Sequence, residues 1–428
     1  MRGPVALVAR RLDCTEGQLY TMVIGLVLAL LLAVPGIPAV LGDRPTSERG
    51  RMGLRPYVEP PAAGTSLSPG GARTSTGDTG TFAAYAPPLA GSVRIEGPVR
   101  AEAGPTPSDV EVPPGTIGVF ARVGPPGAPG GLAVATDGTV FVTTDNGAGR
   151  GGRGPSHLFA YRADGTLLAD RTIAGQREER EGGLTGAAVD PLRGDVAVLD
   201  PASARILRID ISSGAQTLLA TIPDLPACLA SLGAGLCHPG IDDRKPYPVS
   251  AVYDRLGNLF LTDPAQDTIW RLRPGARSPE VWYQSLYFSA GDGPYGIAVD
   301  GGAIEFTVGT SIDPSAFDAG GLYRLAVNDD GSAGGLTLVH AFGPGDHPGA
   351  LAAADSGASY VVLRNSGAIV SFAPDGTVSG RIDPPGTGPI PLDAPSAIAH
   401  VPGALLVANG RTSADPSRWA VLEVFLGR

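Results

Sequence analysis

Three stretches of this chain gather side chains able to hold a ligand. The segment 224–248 carries Cys228, Cys237, His238, Asp242, Asp243, Arg244, Lys245 and Tyr247. The segment 286–295 carries Tyr287, Phe288, Asp292 and Tyr295, and 343–348 carries Asp346 and His347. Imidazole and carboxylate groups beside aromatic rings suit a polar pocket with an aromatic wall, of the kind that binds sugars or peptides. His238, Asp242, Asp243, Tyr247, Asp292, Tyr295, Asp346 and His347 are therefore the candidate ligand-binding residues. Solvated connecting loops have the same composition. Asp346 beside His347 is too common a pair to mark a catalytic dyad, so no residue is given a catalytic role.

Several catalytic signatures are missing. The chain has no G-x-S-x-G elbow, no H-E-x-x-H and no G-K-[ST] phosphate loop. Its 5 histidines are scattered, without metal-ligand spacing. The Gly-rich run at 147–154 (GAGRGGRG) has no helix pattern after it and reads as a loop. A formal net charge of −10, with no basic stripe, excludes a nucleic-acid partner. No cofactor is expected, and the chain is expected to be a monomer.

What positions the candidate loops is an internal repeat. Beyond Thr116 a small-residue step leads into a short apolar strand, a turn, a second apolar strand and an Asp or Asn. The copies begin with GGLAVATDGTVFVTTDN (130–146), TGAAVDPLRGDVAVLD (185–200) and VSAVYDRLGNLFLTD (249–263). They continue with YGIAVDGGAIEFTV (295–308), GALAAADSGASYVVLRN (349–365) and SAIAHVPGALLVAN (396–409). The second positions, Gly131, Gly186, Ser250, Gly296, Ala350 and Ala397, are 55, 64, 46, 54 and 47 residues apart. A third strand follows in every copy and a fourth in the first five. Four antiparallel strands at a period near 50 predict a six-bladed β-propeller over 115–428. The small inner strands suit a crowded central channel, and the D-G, D-R-L-G and D-G-G steps supply the positive φ of tight hairpins. Thr116–Val123 (TIGVFARV) precedes the first copy and has no partner of its own, so it is expected to supply the outer strand that the sixth copy lacks.

This pattern, P-x-G-[IL]-A-V-[DT] followed by G-x-[LVI]-[FY]-[VLF]-[TV]-D, resembles the six-bladed propellers of the NHL-repeat and SMP-30/gluconolactonase-like superfamily. Its clearest copies are Pro129–Thr136 with Val140–Asp145, and Pro294–Asp300. The resemblance implies the fold. For the gluconolactonase-like members it also implies a divalent metal held by a Glu, two Asn and an Asp near the starts of inner strands. The corresponding positions here are Gly130, Thr185, Val249, Tyr295, Gly349 and Ser396, with none of these donors. Tyr295 takes the place of the Asn in P-N-G. A metal site is therefore not expected, although small-lactone or ester hydrolysis stays the alternative to recognition. Asp145, Asp200, Asp263, Asn365 and Asn409 recur after the second strand and are expected to cap turns rather than form a binding rim.

The amino-terminal part has another character. Residues 1–20 read as a short cytoplasmic tail. Residues 21–41 (TMVIGLVLALLLAVPGIPAVL) are uncharged and long enough to span a bilayer as an anchor, while Pro35 and Pro38 also fit a cleaved signal peptide. Residues 42–114 are a Pro/Gly/Ser-rich linker. Overall, 62 Gly and 41 Pro accompany 43% apolar residues, which supplies both turns and core. Cys14 precedes the apolar run, whereas Cys228 and Cys237 follow it. An oxidising exterior would let that pair form a disulfide; unpaired thiols are the alternative. The expected protein is a single-pass, membrane-tethered extracytoplasmic propeller, or a secreted one, that recognises an envelope protein, peptide or cell-wall glycan.

Overall fold

The computed structural model describes residues 112–124, 127–146, 155–176, 183–226, 245–285, 293–309, 319–386, 388–413 and 415–427. All of them fall within one compact unit, Arg100–Arg428. The apolar segment, the linker, the Gly-rich run, both candidate disulfide cysteines, and His238, Asp242, Asp243 and Asp292 lie outside these residues. No helix among the described residues is long and apolar enough to cross a membrane.

The described residues form six four-stranded antiparallel sheets, each one blade of a propeller. The inner strands are Ala128–Val134, Ala187–Val189, Ser250–Tyr253, Pro294–Asp300, Pro348–Ala353 and Ala397–Val401. The second strand of each blade is its apolar centre. Val140–Asp145, Val196–Asp200, Leu259–Asp263 and Ala404–Asn409 are buried at every position. Outer strands face water on one side, as in Leu167–Thr172, where exposed positions predominate.

The tight hairpins follow from local chemistry. Gly138 has φ 83° and Gly257 φ 80°, a region that disfavours side chains. The preceding Asp137 accepts the Thr139 N–H at 2.9 Å, and Asp254 accepts those of Leu256 and Asn258 at 2.9 and 2.8 Å. Each carboxylate locks its own turn.

The core is divided among the six seams between blades. Phe141 and Leu158 of blade 1 pack with Val196, Val198 and Leu207 of blade 2. Phe306 and Ile304 of blade 4 pack with Phe260 and Trp282 of blade 3. Burying a side chain of this size contributes about 1.5–3 kcal/mol, so every seam holds the ring together.

The sixth blade is closed as expected from the sequence. Its sheet order places Ile117–Arg122 outside Ala420–Phe425, then Ala404–Asn409, then Ala397–Val401. Ile117 pairs with Val424 and Arg122 with Ala420. One strand from before the first copy therefore joins three from the last.

Candidate functional site

The inner strands enclose a channel of about 540 Å³. Their small residues are required by the closeness of neighbouring blades. A Cβ on Gly130 would lie 2.2 Å from the Leu184 carbonyl oxygen, and one on Gly296 would lie 2.3 Å from that of Gly349. Hydroxyl groups fasten one blade to the next at the same level. Thr185 Oγ1 donates to the Pro248 carbonyl at 2.7 Å, Thr262 Oγ1 to that of Tyr295 at 2.6 Å and Ser396 Oγ to that of Pro129 at 3.0 Å.

At the mouth where the inner strands begin, Arg411 is the one charged side chain lining the channel among the described residues. It follows the second strand of blade 6, whose end is rigidly held. Asn409 Oδ1 accepts the Asp393 N–H at 2.7 Å, and Asn409 Nδ2 donates to the carbonyls of Pro391 and Arg418 at 3.2 and 3.0 Å. Gly410 has φ 89° and donates its N–H to the Asp393 carbonyl at 2.8 Å. The Arg411 side chain is only 15% exposed, and its Nε donates to Asp145 Oδ2 of blade 1 at 3.3 Å. Burial opposes its charge, but interactions with Tyr295, Asp145 and Tyr247 outweigh burial and hold its pKa above the usual arginine value.

Tyr295 lines the same mouth from blade 4. The Arg364 guanidinium of blade 5 lies over its ring, with Cζ 4.4 Å from the centroid, a cation–π contact. The Arg364 backbone N–H donates to the His347 carbonyl at 2.9 Å. Tyr247 is 37% exposed, and its N–H donates to Asp263 Oδ1 at 3.0 Å. Tyr247, Tyr295 and His347 are thus linked to this mouth through Arg411, Arg364 and the strand ends. Asp346 is turned into its own bend, where Oδ2 accepts the Gly343 N–H at 2.9 Å.

Arg411 and Arg364 were not among the sequence candidates. Both sit beside an Asn at the end of a second strand, in Arg364-Asn365 and Asn409-Gly410-Arg411. The recurring Asp and Asn residues themselves fasten connections. Asp145 Oδ1 accepts the Gly183 N–H at 2.9 Å, Asp200 Oδ2 receives Arg205 Nε at 2.8 Å, and Asn365 Nδ2 donates to the Gly345 carbonyl at 2.7 Å.

The opposite mouth carries Tyr253, Arg255, Asp300, Asp355 and His400. There Arg324 bridges Asp300 and the buried Glu305, while His400 stacks on Tyr360 at 5.8 Å. Burial lowers the His400 pKa, with Asp355 opposing.

The positions that would hold a divalent metal in gluconolactonase-like propellers do not fit one here. Gly130 has no room for a donor side chain, the Thr185 and Ser396 hydroxyls donate to neighbouring carbonyls, and the mouth contains a cation. A hard cation needs several converging oxygen ligands. Among the described residues no three His, Cys, Asp or Glu side chains form such a group.

No protein-family model and no curated protein matches the chain. Solved structures do. A gluconolactonase from Xanthomonas campestris is 15% identical over 72% of this chain and 87% of its own, with a TM-score of 0.45. Virginiamycin B lyase from Staphylococcus aureus is 14% identical over 70% and 95%, with a TM-score of 0.44. A chain of a nidogen/laminin complex is 15% identical over 60% and 81%, with a TM-score of 0.41. At this identity and TM-score the likeness extends to nothing beyond the propeller fold, which the six four-stranded sheets show by themselves.

Proposed function

We propose that the propeller is a recognition head, carried outside a membrane by the amino-terminal apolar segment, that binds an envelope protein, peptide or cell-wall glycan without a divalent metal. The observation that supports this reading is the Arg411–Asp145 pair at the channel mouth, where metal-dependent chemistry would need oxygen donors. A small-lactone or ester hydrolase is the second reading, favoured by the channel volume of about 540 Å³, which suits a small molecule.

Melting of the full-length chain with and without a chelator separates the two. The expected result is an unchanged melting temperature, together with saturable capture of an envelope component that persists in chelator. A metal binding only the folded state at 100 times its dissociation constant would add about 2.7 kcal/mol. A drop in melting temperature that calcium restores, accompanied by calcium-dependent hydrolysis of a δ-lactone, would replace recognition by catalysis.

A further inference from the structure

We infer that the Arg411 mouth is a carboxylate-binding site that takes the acid group of a ligand with a slim aliphatic stem. The inference deepens the recognition reading, because it uses the same mouth and names the group held there.

The guanidinium is built for such a ligand. Its Nε is committed to Asp145, while Nη1 and Nη2 have no acceptor among the described residues. The two terminal nitrogens are the paired donors that match the two oxygens of a carboxylate. Asp145 cannot swing away easily, because it is 4% exposed and also accepts the Gly183 N–H. The arginine is therefore held with one donor satisfied and its remaining donors available at the channel lining. Its backbone is fixed by the Asn409 and Gly410 hydrogen bonds, so little ordering remains to be done on binding.

The surroundings set the rest of the ligand. Tyr295 lines the same mouth and is held in place by Arg364, which brings a second positive charge close by. Apart from Asp145, which is buried against Arg411 Nε, the acidic side chains that line the channel among the described residues, Asp300 and Asp355, belong to the opposite end. Beyond Arg411 the channel is lined by Gly131, Gly186, Ala350 and Ala397 together with Ile297 and Ile398. A slim stem suits a wall of such small side chains, whereas a second charged group would find no side chain of opposite charge among them. Two sources share this chemistry, a free short-chain acid and the carboxyl terminus of a peptide ending in small residues.

The test is calorimetric titration of the full-length chain with butyrate and its methyl ester, and with acetyl-Ala-Ala as the acid and the amide. The expected result is saturable binding of at least one acid, at least tenfold tighter than its uncharged counterpart. Binding confined to butyrate identifies a free acid as the source, and binding confined to the dipeptide identifies a chain terminus. Arg411→Gln should weaken the acid at least tenfold. Because that variant removes the Arg411–Asp145 contact, Arg411→Lys is measured beside it; it keeps the charge, loses the paired donors and should also weaken binding. Equal affinity for acid and ester, or unchanged affinity in both variants, overturns the inference. So does absence of binding by every acid up to about 50 mM, well beyond a 1 mM site worth about 4 kcal/mol. Binding of inorganic phosphate with the acids silent overturns it too, in favour of a tetrahedral anion. Any of these failures with metal-independent capture intact would leave the recognition reading standing. Lactone hydrolysis would remove that reading without touching carboxylate binding.

Discussion

Asp263 ends the second strand of blade 3 with no exposure to solvent. Its Oδ1 accepts the N–H groups of Tyr247, Ala265 and Gln266 at 3.0, 3.1 and 3.2 Å, which ties two connections to the strand end. Burial pushes this carboxyl up to about 6, against the pull of those bonds and of the Trp270 indole. The folded chain therefore holds the Asp263 proton more tightly than the unfolded chain, whose Asp pKa is about 3.9. Stability from this group is fully present below about pH 4 and is lost as the pH rises to about 6. Relative to Asp263→Asn, the wild type should lose on the order of 2–3 kcal/mol across that window. Urea unfolding of both proteins at pH 4, 5, 6 and 7 checks it; parallel curves would remove Asp263 as the cause. The residues of the mouth were unequally legible. Tyr247 and Tyr295 stand out in sequence as aromatic side chains in connections between strands. Arg411 does not, because its role depends on Asp145, 266 residues away, which only ring closure brings beside it.

The strands were legible because each blade states its pattern locally: small inner strand, tight turn, then a buried, largely apolar second strand. The closing strand was legible by elimination, since Thr116–Val123 had strand composition and no neighbour in sequence. Its contacts show what it contributes. Gly115 N–H donates to the Phe425 carbonyl at 2.7 Å, Phe425 N–H to that of Thr116 at 3.0 Å and Val123 N–H to that of Trp419 at 3.1 Å. Ile117 and Val123 are 2% and 3% exposed, one packed into the seam between blades 5 and 6 and the other into the seam between blades 6 and 1. Removing residues 1–114 should leave a soluble propeller with a single melting transition. Removing residues 1–125 deletes the strand and opens the edge of Ala420–Phe425, a surface prone to pairing with other chains. The lost burial alone is worth about 3–6 kcal/mol for the two larger side chains. The second truncation should therefore melt markedly lower and aggregate on heating. Equal melting temperature and solubility for the two proteins would refute the clasp.

At the scale of the whole ring, the same crowding that closes the channel explains why its lining is poor in functional groups. Blades meet through backbone at the inner strands, which is why Gly130, Gly131 and Gly296 have no room for a Cβ. Chemistry is left to the strand ends, and there the arginine from blade 6 reaches a carboxylate from blade 1. Two glycines in blade 4 separate this crowding from local strand preference. Gly296 lies on the inner strand, where a Cβ would fall 2.3 Å from the Gly349 carbonyl oxygen and 2.7 Å from the Leu351 nitrogen. Both contacts are with backbone of blade 5, which cannot rotate away as a side chain can. Gly302 sits in the adjoining turn with nothing within 4 Å of a Cβ. Its φ lies outside the left-handed region that would itself exclude a side chain. Gly296→Ala must push blades 4 and 5 apart, disturbing the Thr307 Oγ1 bond to the Gly349 carbonyl and the apolar seam behind it. A cost of about 2–4 kcal/mol is expected, in the upper range for overpacking. Gly302→Ala should be neutral or stabilise by up to about 1 kcal/mol, because it only restricts the unfolded chain. Denaturant unfolding of the two variants gives both numbers. Equal effects would show that the inner strands tolerate a methyl group and that blade-to-blade contact does not set their composition.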